Sequence, residues 1–139
     1  MPLTLEGEAA NIGALLANPA VSILARLAKS AMPLDTGEMV LADITEADFP
    51  GYAPVPISAA EEIFINEQNY AEVITKTPQW IAGAIVTPQS ITAVYLTISI
   101  SGGPQKLWNV EVLPRPFLFE LPDQLFEREI RILSAQLAT

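Results

Sequence analysis

Twelve prolines and seven glycines, most of them grouped, break this 139-residue chain at intervals of about ten to fifteen residues between most groups, a spacing that marks turns rather than long regular segments. A helix interior rejects proline, which lacks an N–H and clashes with the preceding turn, and glycine adds an entropic cost. Short strands joined by turns are what this rhythm permits. With 50% apolar and 17% charged residues the chain can still bury a core. A domain of this length removes roughly 70% of the surface its unfolded form exposes, so it needs neither disulfide nor metal to fold.

The strand signal is strongest over Ile91 to Ile100. There Ile91, Ala93, Tyr95, Thr97 and Ser99 alternate with Thr92, Val94, Leu96, Ile98 and Ile100, a period of two rich in β-branched residues. Val21 to Lys29 reads the same way, with Val21, Ile23, Ala25 and Leu27 on one side and Leu24 and Arg26 on the other. Further strands are expected at Glu61 to Asn66, Tyr70 to Thr75, Gln79 to Val86 and Lys106 to Val112. Pro114-Arg115-Pro116 should end the last of these before another begins at Phe117 to Leu121. Val40 to Thr45 could extend, whereas Pro50, Gly51, Pro54 and Pro56 leave Glu46 to Pro56 irregular.

Two segments depart from this pattern. Glu6 to Leu16 strings together Ala9, Ala10, Ile12, Ala14, Leu15 and Leu16 and stops at Asn18-Pro19, which predicts a short helix. In the tail, Leu125 to Leu137, the residues Phe126, Ile130, Leu133 and Leu137 match helical spacing. Phe126, Arg128, Ile130 and Ile132 would equally share one strand face. The expected architecture is all-β: an antiparallel β-sandwich or jelly roll over residues 21–139, preceded by a helical arm over 1–20, with no internal domain boundary.

Composition restricts the chemistry. Cysteine and histidine are both absent, which excludes thiolate nucleophiles, Cys/His zinc sites, imidazole bases and Ser-His-Asp triads. Seven Lys and Arg against 16 Asp and Glu give a net charge of −9, and the basic residues are scattered. Phosphate backbones and anionic membranes demand clustered cations, so neither nucleic acid nor membrane is an expected partner. The longest uncharged stretch, Thr77 to Gln105, is broken by Pro78, Pro88 and Gly102-Gly103-Pro104, and so reads as strands rather than a membrane span. Met1 to Glu8 carries two acids and no positive charge, unlike a signal peptide.

The residue types that remain support only weak sites. Asp43, Glu46 and Asp48 cluster, but a calcium loop needs six to eight oxygens and a placed glycine, so solvated turn acids or backbone caps account for them better. Asp48 with Glu61 or Glu62 could supply the carboxylate pair of a glycosidase, although any acidic chain offers such pairs. Trp80, Trp108, Tyr52, Tyr70 and Tyr95 could form a sugar-stacking platform, yet core packing is the commoner use of such rings. Ser101-Gly102-Gly103-Pro104 lacks the lysine and helix of a phosphate loop and is read as a turn.

The run Val40 to Ala53 resembles an LADxTEAxFxGYA segment of small structural proteins of tailed bacteriophages. Ile81 to Thr87, followed by Leu107-Trp108-Asn109-Val110-Glu111, is similar to a further pattern of that group, although Ala82 stands where a tyrosine is expected. Ala14-Leu15-Leu16 resembles a helix that opens related proteins. The resemblance implies an all-β virion component without a catalytic site or cofactor, made in the host cytoplasm, and it favours strand in the tail. Asp43, Glu46, Asp48, Phe49, Gly51 and Tyr52 would then form a structural turn, with the two rings docked and the acids wet or capping.

The expected role is a capsid decoration, or cement, protein binding the major capsid protein or other virion proteins as a homotrimer. Ile12, Leu15, Leu16, Phe117 and Phe119 are the interface candidates. The alternative is a tail-associated or receptor-binding module that recognises host glycan through exposed Trp80, Tyr70 or Tyr52.

Overall fold

The computed structural model describes residues 18–33, 38–57, 60–65, 71–75, 77–84 and 87–133. The helix expected over 6–16, and with it Ile12, Leu15 and Leu16, lies outside the described residues. So do Tyr70 and the end of the expected tail.

The described residues are mostly antiparallel β-sheet. A four-stranded sheet orders β1 (Val21–Ala28), β2 (Val55–Pro56), β6 (Gln89–Ile100) and β7 (Lys106–Phe119) as β2-β1-β6-β7. A three-stranded sheet orders β3 (Ala60–Ile65), β4 (Ala71–Thr75) and β9 (Arg131–Leu133) as β3-β4-β9, and β5 (Gln79–Ile81) pairs with β8 (Leu125–Glu127). The tail is therefore strand, in two pieces. Phe126 and Ile130 turn inward while Glu127, Glu129 and Arg131 stay exposed.

The β1–β6 ladder is unbroken, from Val21 opposite Ile100 to Ala28 opposite Ala93. One face of it carries Ile23, Ala25 and Leu27 beside Val94 and Leu96, and these pack with Phe49, Ile57, Trp80, Phe119, Phe126 and Ile130 in the main core. The opposite face carries Ala28, Ala93 and Tyr95, covered by Met32, Leu41, Ile44, Leu107 and Val110. Central strand β6 is thus buried on both faces, which is why Ala93 and Tyr95 on one side and Val94 and Leu96 on the other are all apolar. Leu27, Ile91 and Phe119 are fully buried, and each contributes about 1.5–3 kcal/mol by leaving water.

Two irregularities in the β6–β7 pairing shape the edge of this sheet. Leu96 faces Asn109 and the next residue, Thr97, faces Leu107, so Trp108 is an extra residue on β7. This bulge puts Leu107 and Val110 on the same face although three positions separate them, and it turns Trp108 toward the main core. Further along, Ile91 faces Phe117 but Ala93 faces Val112, so two steps of β6 correspond to five of β7. The excess is the Leu113-Pro114-Arg115-Pro116 excursion. The prolines, which lack ladder donors, leave the pairing as expected, yet the strand resumes against the same partner instead of starting a separate one.

Two shorter expectations are corrected. The segment from Val40 does not extend: Leu41–Asp43 is a single 3₁₀ turn, with the Asp43 N–H donating to the Val40 carbonyl at 3.0 Å. The strand from Gln79 ends at Ile81 rather than Val86, because the Gly83 N–H turns away to the Pro50 carbonyl at 2.6 Å.

Candidate functional site

The segment Asp43 to Tyr52 is built onto β1 and the aromatic core. Lys29 N–H donates to the Thr45 carbonyl at 2.9 Å, Ala47 N–H donates to the Leu27 carbonyl at 2.8 Å, and Glu46 bridges to Ala28. These bonds give an irregular stretch the anchoring that its prolines deny it. At its end, Tyr52 N–H donates to the Phe49 carbonyl at 3.0 Å across Pro50-Gly51. With Gly51 at φ +88° this is a type II turn, proline supplying the first corner and glycine the second.

Each acid has a different fate. Asp43 accepts from the Val40 N–H at 3.0 Å, a backbone cap. Asp48 is exposed and accepts from Lys29 Nζ at 2.8 Å and Gln89 Nε2 at 2.7 Å. Those two donors hold its carboxyl below the usual range, the lysine contributing most. Glu46, one-third exposed, caps no backbone donor and is committed to side chains instead: its carboxylate takes Arg26 Nη1 at 3.1 and 2.9 Å and the Tyr52 hydroxyl at 2.6 Å. Arg26 also reaches Thr97 Oγ1 at 3.0 Å. Burial, and then the Glu46 carboxylate, push the Tyr52 hydroxyl well above the ordinary tyrosine range.

Phe49 is buried and stacks on Phe119 with centroids 4.1 Å apart, and Tyr52 meets Phe49 edge-on at 5.3 Å. The series continues from Phe119 to Phe117 at 5.0 Å, Phe117 to Phe126 at 4.8 Å and Phe126 to Trp80 at 5.8 Å. Six rings from four stretches of chain therefore form one continuous aromatic row. This row corrects one expectation and bears on the glycan-binding alternative. Phe119 is completely covered by its own chain and has no surface to give a neighbouring subunit, while Phe117 is half-buried. Trp80, wanted as an exposed sugar platform, is 2% exposed, and the Tyr52 ring is docked with its hydroxyl engaged.

Two surface features were missed from sequence. Beside the Pro114–Pro116 excursion lies a groove of about 380 Å³ walled by Leu113, Phe117 and Phe126, with Arg115 and Arg128 at its margin. The second is an apolar corner. Ile81 and Leu125 are directly opposed in the β5–β8 pair and both are exposed, as is Leu121 in the preceding turn. Gln124 organises that turn, accepting from the Glu120 and Leu121 N–H groups and donating to the Leu118 carbonyl. The outward parity of Ile81 against Trp80 was the signal available, but it needed the pairing with Leu125 to become a patch.

A larger cavity of about 600 Å³ lies under the β7 edge, floored by Val94, Leu96 and Ile130. Most of its charges are paired: Arg128 holds Glu111 at 2.7 Å, and Arg131 holds Glu129 at 2.7 Å and Glu72 at 2.9 Å, while Glu127 accepts from the Gln79 amide at 2.7 Å. Among the described residues no group of three acids is placed to hold a metal ion, and no helix is long and apolar enough to cross a membrane. Comparison with protein-family models, curated proteins and solved structures finds no match to this chain.

Proposed function

We propose that this chain is a structural component of a tailed-phage virion, a capsid decoration protein that works through contact area rather than chemistry. The observation that carries the reading is how the phage-like segment is used. Glu46 is committed to Arg26 and Tyr52, Asp48 to Lys29 and Gln89, Asp43 to a backbone cap, and Phe49 to the core. Glu46 and Asp48 fasten this loop to the main sheet, and Asp43 caps its 3₁₀ turn. In this reading the β5–β8 pair and the β3-β4-β9 sheet form the second layer of a β-sandwich, and the chain acts as a homotrimer at local three-fold positions of the shell.

The exposed Ile81, Leu121 and Leu125 supply apolar surface of the kind that subunit contacts bury inside a polar rim. The test is co-sedimentation of the purified chain with heads of its own phage that lack it, followed by heating of the decorated and bare particles. Saturable binding that raises the temperature of head disruption is the expected result. Absence of binding to those heads overturns the proposal.

A further inference from the structure

We propose that the groove beside Arg115 receives the Leu121 turn of a second copy of this chain. The argument begins with charge. Among the described basic residues, Arg26, Lys29, Arg128 and Arg131 each hold a carboxylate of their own chain, whereas Arg115 and Lys106 hold none. Arg115 is exposed and is presented between two prolines on the excursion from β7. Fixed φ at both neighbours restricts the backbone that carries it, which lowers the backbone share of the order lost on binding. An arginine held in this way at the margin of a groove lined by Leu113, Phe117 and Phe126 calls for a carboxylate next to an aliphatic side chain.

The same chain displays that combination. Leu121 is 60% exposed and lies between exposed Glu120 and Asp123, neither of which has an ion pair among the described residues. Its turn is held in shape by three Gln124 hydrogen bonds of 2.9 to 3.2 Å. A rigid acidic and aliphatic projection thus meets a rigid cationic and apolar recess, and every copy carries both. At a net charge of −9 two copies repel at long range, so a specific contact between them needs a local cation, which Arg115 supplies. Because every copy carries both projection and recess, the contact is either reciprocated across a two-fold axis or propagated head to tail, and the head-to-tail form can close as a ring.

The inference deepens the homotrimer of the proposed function and rests on that part of it alone: self-association of the isolated chain is read without heads, so its failure is distinguishable from a failure to bind heads. The test is sedimentation velocity of the purified full chain over a concentration series. Reversible self-association is expected, with Arg115→Glu and Glu120→Lys each weakening it by at least about tenfold. The double variant Arg115→Glu with Glu120→Lys should recover association, because the charges are exchanged rather than removed. Circular dichroism of each variant checks that these exposed substitutions leave the fold intact, and Leu121→Ser tests the apolar half separately. A wild-type chain that stays monomeric throughout overturns the proposal. So does association that Arg115→Glu leaves unchanged, or that the double variant fails to recover.

Discussion

The Tyr52 hydroxyl donates to Glu46 Oε2 at 2.6 Å while accepting from the Leu27 N–H at 3.1 Å, so one phenol oxygen joins the turn at Gly51 to strand β1. Tyr52→Phe removes both bonds and leaves a strand N–H without its acceptor, which should cost about 1–3 kcal/mol. Glu46→Ala strands Arg26, whose side chain is only 17% exposed. A fully buried pair broken in this way loses about 3–5 kcal/mol, and with Glu46 itself one-third exposed the expected loss is nearer ~2 kcal/mol. The two changes remove the same Tyr52–Glu46 hydrogen bond, so the double variant should lose less than their sum by roughly 0.5–1 kcal/mol in urea unfolding. Strict additivity would mean that the network does not act as a unit.

Gly51 is constrained twice over. Its φ of +88° disfavours a side chain, and an added Cβ would meet the Gly83 nitrogen at 2.7 Å and the Ile81 carbonyl oxygen at 2.8 Å, both rigid backbone. Gly102 has a similar φ of +74° but nothing within 4 Å. Gly102→Ala should therefore cost only the conformational term, about 1 kcal/mol, and Gly51→Ala that term plus overpacking, about 2–4 kcal/mol in all. Thermal and urea unfolding of the pair separate the two contributions, and equal losses would refute the close approach of residues 50–51 to 81–83.

Local pattern reached the strands whose signal is local. Residues 21–28 and 91–100 alternate strongly enough to be read directly, and Pro114-Arg115-Pro116 marked the place where pairing is interrupted. What stayed hidden depends on the partner strand. The bulge at Trp108 exists only in the register against Leu96 and Thr97, and without it Leu107 and Val110 are assigned to opposite faces. The tail was ambiguous because Phe126 and Ile130 satisfy periods of two and of roughly four alike; Trp80, 46 residues earlier than Phe126, supplies the pairing that decides it. For the candidate site, the turn at Pro50-Gly51 was legible from turn chemistry. The Glu46–Arg26 pair was not, since it spans 20 positions and forms only once the segment lies along β1.

Alkaline pH should destabilise the fold through its buried phenols. Burial, and then the nearby Glu46 carboxylate, push the Tyr95 hydroxyl up from 10.0 to about 12. Its folded value exceeds its unfolded value, so the contribution is fully present below pH 10 and is lost as pH climbs from about 10 to 12, where only the unfolded chain ionises readily. Tyr52, shifted in the same direction, extends the loss to higher pH. Melting temperatures across this range should fall, and Tyr95→Phe should flatten the lower part of the slope. Phenolate absorbance that develops fully near pH 10 in the native protein would contradict the burial of both rings.

Trp80 fills the end of the aromatic row, but its Nε1 is buried without a hydrogen-bond partner among the described residues. An unsatisfied buried donor costs about 1–3 kcal/mol, so part of what the ring gains by packing is already offset. Trp80→Phe discards that donor and keeps a ring against Phe126, at the expense of a cavity from the lost benzo group. Truncating a buried tryptophan to alanine typically costs about 3–5 kcal/mol, and Trp80→Ala should fall in that range. Trp80→Phe should instead come out within about 1 kcal/mol of wild type, because relief of the N–H compensates for most of the cavity. Urea unfolding of both variants measures the difference. A loss above about 2 kcal/mol for Trp80→Phe would refute the compensation between the lost benzo group and the relieved N–H.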